Sequence, residues 1–123
     1  MEEMERMLRK IEGILARDPQ YKFEAYSFAM AGLHLTVSRL PKHRHVTGRE
    51  LCEGLRDYAL EQFGPLARTV LEYWGIHSTG DFGKIVFNLI EAELLKKTEE
   101  DSIHDFDNVY DFGNAFQYEI KEE

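Results

Sequence analysis

The side chains best suited to hold a metal ion are the five histidines of the chain. His43 and His45 flank Arg44 and would share one face of a strand, with His104 or Asp105 as conceivable further ligands. A zinc site needs three or four ligands that converge on one point, and the sequence contains no HxxxH, HExxH or CxxC spacing. We therefore expect solvent-exposed loop histidines and no metal site.

Catalytic chemistry has one candidate nucleophile, Cys52, the single cysteine of the chain. A nearby histidine could activate it, but Cys52 lies one step from the apolar face of a predicted helix, where a cysteine usually serves in packing. The carboxylates lie on solvated helix faces or crowd the C-terminal segment, so no acid–base pair is indicated. The nine glycines are dispersed and form no phosphate-binding loop. These patterns predict no catalytic residue, no cofactor and no enzyme.

The formal net charge of −8 arises entirely from the C-terminal fifth of the chain. Residues 99–123 contain nine acids and one base, whereas residues 1–98 contain fourteen of each. One short stretch, which we call the basic stretch, has four bases and no acid: Arg39, Lys42, Arg44 and Arg49. It could bind phosphate or RNA, or it could pair with the acidic segment of the same chain or of a neighbour. We favour the acidic segment or a protein partner, because four bases are a weak signal for nucleic acid.

The acidic segment also carries a cluster of five aromatic residues: Phe106, Tyr110, Phe112, Phe116 and Tyr118. Such rings most often anchor a strand or turn on the core. They could also anchor a docking segment whose acids steer a basic partner protein. The two interpretations are compatible, so the aromatic cluster and the basic stretch together form our candidate interaction surface.

Apolar side chains recur at spacings of three and four residues in five segments, which predicts amphipathic helices. The predicted helices cover residues 2–17, 22–40, 47–63, 66–74 and 80–95. Thr47 and Glu50 have capping-box spacing at the third helix, as do Ser78 and Asp81 at the fifth. The sequence thus predicts a mainly α fold and a single domain over residues 1–123. Its parts are an N-terminal helix (1–18), a helical core (22–95) and an acidic aromatic tail (96–123) packed on that core.

The last two predicted helices and the strand-like tail resemble a helix-turn-helix followed by the wing of a winged-helix domain. We therefore expect a small C-terminal β element. The fifth helix would enter a DNA groove, but its polar face has Lys84 against three acids, Asp81, Glu91 and Glu93. Nucleic-acid binding by this surface is disfavoured, because binders meet the phosphate backbone with clustered lysine and arginine.

Three segments carry a likeness to a known family: RHVTGRELCEGLRDYALEQFGPLARTVLEYWGI, STGDFGKIVFNLIEAELL and KTEEDSIHDFDNVYDF. The chain resembles an uncharacterised bacterial family of about this length, found mainly in planctomycetes and verrucomicrobia. The likeness covers residues from about 21 to 118. This resemblance implies a stand-alone domain, and it brings no activity, cofactor or catalytic residue.

The sequence contains no run apolar enough for a membrane span and no export signal, which predicts a cytoplasmic protein. Our leading hypothesis is a non-enzymatic regulatory or adaptor protein that binds a protein partner or forms a homodimer. The alternative hypothesis is a winged-helix-type nucleic-acid-binding regulator that uses the basic stretch. A hydrolase or metal enzyme comes third, because it would need histidines and acids that converge in space.

Overall fold

The computed structural model describes residues 2–42 and 44–117 and confirms a mainly α fold. Its α-helices are α1 (Glu2–Arg17), α2 (Phe23–Ser38), α3 (Gly48–Phe63), α4 (Ala67–Tyr73), α5 (Thr79–Glu91) and the single-turn α6 (Phe112–Ala115). Two 3₁₀ turns, Gly64–Leu66 and Ile103–Phe106, complete the regular structure of the described residues. None of the helices in this part of the chain combines the length and the apolar character that crossing a membrane requires.

Helix α2 lies at the centre of the fold and packs against α1, α3 and α5. Its buried residues, Ala25, Tyr26, Phe28, Ala29 and Gly32, lie on one broad face, and the partly buried Phe23 and Met30 extend the apolar surface further around the helix. A helix that is apolar around most of its circumference is stable only when neighbours cover it. The amphipathic helices α1 and α5 therefore pack their apolar faces on α2, with Ile11, Ile14, Ile85 and Leu89 in the core.

The helix boundaries follow local capping chemistry. The predicted capping box at α3 is present: the Thr47 hydroxyl accepts from the Glu50 amide, and the Glu50 carboxylate accepts from the Thr47 amide. At α5, Ser78 is the N-cap residue, but its side chain makes no capping hydrogen bond. Asp81 instead accepts from the His77 amide at 2.8 Å and from the buried Tyr21 hydroxyl.

Helix α5 ends at Glu91, four residues before the predicted end at Leu95. The cause is a Schellman motif, in which the chain turns left-handed at Glu93 with φ of 62°. The Glu93 amide then donates a hydrogen bond to the Ile90 carbonyl, and the Leu94 amide donates one to the Leu89 carbonyl, each at 2.9 Å. The backbone can no longer continue as a helix after this turn.

The expected C-terminal β element and the winged-helix likeness are not supported, since no residue within 2–42 or 44–117 lies in a strand. Capping side chains hold the tail in turns instead. Ser102 and Asp105 form a capping box on the 3₁₀ turn, and Asp111 caps α6 through the Asn114 amide. Serine and aspartate bond readily to nearby amides, and this local bonding competes with strand pairing.

The tail packs against α3 and α5 through one buried hydroxyl and one buried ring. The Thr79 hydroxyl donates to the Phe106 carbonyl at 2.6 Å and accepts from the Val109 amide at 3.1 Å. The Phe106 ring lies over Gly48 and Gly83, where an added Cβ would come within 3.0 Å and 2.9 Å of ring atoms. The two helices therefore need glycine at these positions, because any larger side chain would displace the ring.

Candidate functional site

The basic stretch is largely neutralised by acids of the same chain. The Arg44 guanidinium binds both carboxylate oxygens of Glu50, at 2.9 Å and 2.6 Å. This bond and one from the Thr47 amide lower the pKa of Glu50 from 4.5 to about 2. Two further pairs involve Arg39 with Glu61 at 3.0 Å and Arg49 with Glu53 at 3.4 Å. Lys42 is exposed, and His43 lies outside the described residues.

The aromatic cluster of the tail points mainly into the core. Phe106, Phe112 and Phe116 are buried, and Phe112 and Phe116 meet edge to face with ring centroids 4.9 Å apart. Tyr110 is partly buried, and its hydroxyl donates to the Cys52 carbonyl at 2.6 Å. Tyr118 lies outside the described residues. The rings of Phe106, Tyr110, Phe112 and Phe116 thus anchor the tail on the core.

The tail and the basic stretch meet at a contact between His45 and Asp101. The His45 Nε2 atom lies 2.8 Å from Asp101 Oδ1, and Asp101 Oδ2 accepts from the Thr98 amide at 2.8 Å. Burial disfavours the charged form of Asp101, but the hydrogen bonds from Thr98 and His45 outweigh it, so its pKa lies below the usual value. The acidic segment thus bonds to His45 of its own chain.

A cavity of about 340 Å³ opens beside this contact, between α2, the start of α3, α5 and the tail. Its floor consists of aliphatic and aromatic side chains, among them Leu33, Val37, Val86, Phe87, Ile90 and Leu95. The polar part of the lining, which we call the mouth, consists of Arg44, His45, Thr47, Lys96, Asp101, Ser102 and Asp105. An apolar interior with a few polar groups at the opening is the usual design of a ligand pocket.

A second concave surface, the aromatic groove, has a volume of about 240 Å³ and lies between α2, α3 and the end of α4. Five rings line it: Phe23, Phe28, Tyr58, Phe63 and Trp74. Phe28 is in contact with Tyr58, Phe63 and Trp74, with centroid distances from 5.2 Å to 6.3 Å. Phe28 is buried, whereas the other four rings are only partly buried, so they present apolar surface to solvent.

The segment from Phe63 to Trp74 connects two walls of the aromatic groove and carries two strongly exposed apolar residues. Leu66 is 61% exposed and Tyr73 is 71% exposed. The Lys22 ammonium lies 5.0 Å from the centre of the Tyr73 ring, so the ring face has a cation beside it. Exposed large apolar side chains next to a groove mark candidate contact surfaces.

Reactive groups are sparse in the described part of the chain. No three histidine, cysteine, aspartate or glutamate side chains among residues 2–42 and 44–117 cluster closely enough to hold a metal ion. The Cys52 thiol is fully buried, and burial raises its pKa to about 12. It carries no thiolate at neutral pH and so lacks the form that attacks a substrate.

Neither concave surface is indicated by the sequence pattern. The cavity draws on four separate stretches of the chain, and the aromatic groove draws on three helices, so no local spacing marks them. One usable signal was present: Tyr73 and Trp74 are adjacent in sequence, so they cannot both lie on the buried face of the same helix turn. Comparison with models of protein families, with curated proteins and with solved structures finds no match to this chain.

Proposed function

We propose that this protein is a non-enzymatic regulatory or adaptor protein that binds another protein through the aromatic groove. The observation that supports this is the composition of the groove: tyrosine, tryptophan and phenylalanine rings, partly exposed and held by contacts to a buried Phe28. Tryptophan and tyrosine are the residues most enriched among those that dominate binding energy at protein interfaces. Rigid rings also lose little conformational entropy when a partner covers them.

The occupant that fits the groove is an apolar segment of a partner protein. Besides the rings, the groove is lined by Ser27, Ala31 and Gln62, and Glu24 is its charged lining residue. Such a lining offers little attraction to a highly charged ligand, whereas it can bury aliphatic or aromatic side chains. A polar rim around an apolar centre is the usual organisation of a protein interface.

The test replaces Ala31, an exposed small residue that lines the groove, with arginine. Ala31→Arg places a long charged side chain in the groove without removing a core contact. The matched control is Ala16→Arg, which makes the same change on the exposed side of α1. A photoreactive amino acid at Tyr73 captures the partner in cells, and calorimetry then measures its affinity for the purified variants.

We expect the captured partner to bind Ala31→Arg at least tenfold more weakly than the wild type and to bind Ala16→Arg normally. If the captured species is the chain itself, light scattering should show a dimer that Ala31→Arg dissociates, and the occupant is then a second copy. Equal affinity for both arginine variants would contradict the proposal. Binding that occurs only when a variant is unfolded would also contradict the proposal. Circular dichroism shows whether a variant is folded.

The alternative, a winged-helix-type nucleic-acid-binding regulator, would use the basic stretch. Its three arginines already pair with glutamates of the same chain, which leaves Lys42 as the exposed cation of the stretch without such a pair among the described residues. Phosphate binding would have to break these pairs. Gel shifts with duplex DNA and with RNA at low salt test this, and binding that Lys42→Glu abolishes would replace the proposal above.

A further inference from the structure

The cavity between α2, α3, α5 and the tail has no role in the function proposed above. Its floor residues are apolar, and Leu33, Val37, Phe87, Ile90 and Leu95 are only partly buried. Filling the cavity with an apolar group would remove this surface from water, which is favourable. An engineered cavity of about 150 Å³ suffices to bind benzene. The volume of about 340 Å³ therefore accommodates a longer aliphatic chain.

The mouth of the cavity determines which head group such a chain can carry. Lys96 lines the mouth, and among the residues that the structure describes no carboxylate lies within 4 Å of its ammonium group. The Ser102 hydroxyl accepts a hydrogen bond from the His104 amide, which leaves its own proton to donate. The spare polar groups at the mouth are therefore mainly donors.

The acids at the mouth are already engaged in hydrogen bonds. Both oxygens of Asp101 accept bonds, from His45 and from the Thr98 amide. Asp105 accepts from the Ser102 amide at 3.0 Å. A cationic head group would find Lys96 beside it, and Asp105 Oδ1 is the one oxygen of these two acids that accepts no hydrogen bond among the described residues. An anionic head group would find an ammonium group and the Ser102 hydroxyl, which can donate to it.

We propose that this cavity binds a small aliphatic carboxylate. The alkyl chain lies on the apolar floor between α2 and α5, and the carboxylate lies at the mouth beside Lys96. Asp101 and Asp105 oppose the negative head group through their charge, so most of the affinity comes from the buried chain. The site is separate from the aromatic groove and shares none of its lining residues.

Calorimetric titration with straight-chain carboxylates of four to ten carbons tests the floor. Burial of each methylene should tighten binding about fourfold until the cavity is full, after which the affinity should level off. Alcohols and amines with the same alkyl chains test the head group. We expect the carboxylate to bind about tenfold more tightly than the matched alcohol, because a charge-assisted hydrogen bond is stronger than a neutral one.

Two lysine variants test the position of the head group. Lys96→Gln should weaken carboxylate binding about tenfold and leave alcohol binding unchanged. Lys97→Gln is the matched control, because Lys97 is exposed and does not line the cavity. An affinity independent of chain length overturns the apolar floor as the site. Equal binding of carboxylate and alcohol, tighter binding of the amine, or no effect of Lys96→Gln overturns the carboxylate assignment. Ala31 lines the aromatic groove and not the cavity. Carboxylate binding that persists in Ala31→Arg therefore distinguishes the cavity site from the groove.

Discussion

Two helices of this fold end in the same motif but with different residues at the left-handed position. Gly75 has φ of 96° after α4, and Glu93 has φ of 62° after α5. Both close the same pair of backbone hydrogen bonds: Gly75 to Glu72 and Ile76 to Leu71 in one case, Glu93 to Ile90 and Leu94 to Leu89 in the other. Glycine adopts this conformation without steric cost, whereas glutamate does not.

We predict that Glu93→Gly stabilises the protein. Relief of the left-handed strain should contribute about 1–2 kcal/mol. The greater freedom of glycine in the unfolded chain offsets about 0.4–1 kcal/mol of that gain. The net backbone effect is therefore about 0.5–1 kcal/mol. With an unfolding entropy of about 2.1 cal/mol/K per residue, a chain of this length should melt about 2–4 °C higher.

The reverse change at the other motif, Gly75→Ala, should destabilise the protein more strongly. The added Cβ would lie 2.5 Å from the Gln20 carbonyl oxygen, a backbone atom that cannot rotate away. We expect a loss of about 2 kcal/mol or more, because this clash adds to the left-handed strain. The expected fall in melting temperature is about 8 °C or more.

Urea denaturation and calorimetry measure both variants, and Glu93→Ala is the control that separates charge from backbone. The Glu93 carboxylate lies near the negative end of the α5 dipole, so its removal alone should stabilise the protein slightly. Glu93→Ala removes that charge but keeps a Cβ at positive φ. The free energy of unfolding of Glu93→Gly should exceed that of Glu93→Ala by about 0.5–1 kcal/mol. If the two variants are equally stable, left-handed strain at Glu93 does not lower the stability of the protein.

Three further predictions concern the tail, the thiol and the behaviour in acid. Thr79→Val should lower the free energy of unfolding by about 1–3 kcal/mol and speed amide exchange in the tail, because it removes both buried hydrogen bonds of the hydroxyl. The control, Thr69→Val on the exposed side of α4, should change this free energy by less than about 0.5 kcal/mol. Ellman's reagent should modify Cys52 at pH 8 only as fast as the protein unfolds, and rapid labelling of the native protein would contradict its burial. Glu50 has a lowered pKa in the folded state, so its stabilising effect is present above pH 4.5 and is lost as the pH falls toward 2. In Glu50→Gln, the melting temperature should depend less on pH between pH 5 and pH 2 than in the wild type. If the melting temperatures of the two proteins change in parallel with pH, the pair with Arg44 adds no stability.

The helices could be predicted from the sequence because their signals are local. The predicted range of α1 agrees with Glu2–Arg17, and the capping box at Thr47 and Glu50 is present as expected. The end of α5 was missed, because glutamate at a left-handed position gives no warning in the sequence. The tail was misjudged for a related reason. Its aromatics favour strands, but the capping bonds of Ser102 and Asp111 hold it in turns.

The two concave surfaces depend on tertiary packing, which the sequence pattern does not contain. Leu33 and Val37 are four residues apart, a spacing typical of an apolar helix face, yet this face of α2 is not fully covered and forms one wall of the cavity. Similarly, Tyr58 and Phe63 are apolar positions of α3, and they are only partly buried in the aromatic groove. Periodicity identifies which face of a helix is apolar. It does not show whether a neighbour covers that face completely.

The Phe106 ring belongs to two environments at once, since it packs over Gly83 in the core and also lines the cavity. If the cavity binds the proposed carboxylate, its occupancy and the attachment of the acidic segment are linked equilibria, and each strengthens the other by the same factor. A ligand at a hundred times its dissociation constant would add about 2.7 kcal/mol to the folded form that keeps this wall in place. A charge change far along the acidic segment would then alter ligand affinity without touching the ligand.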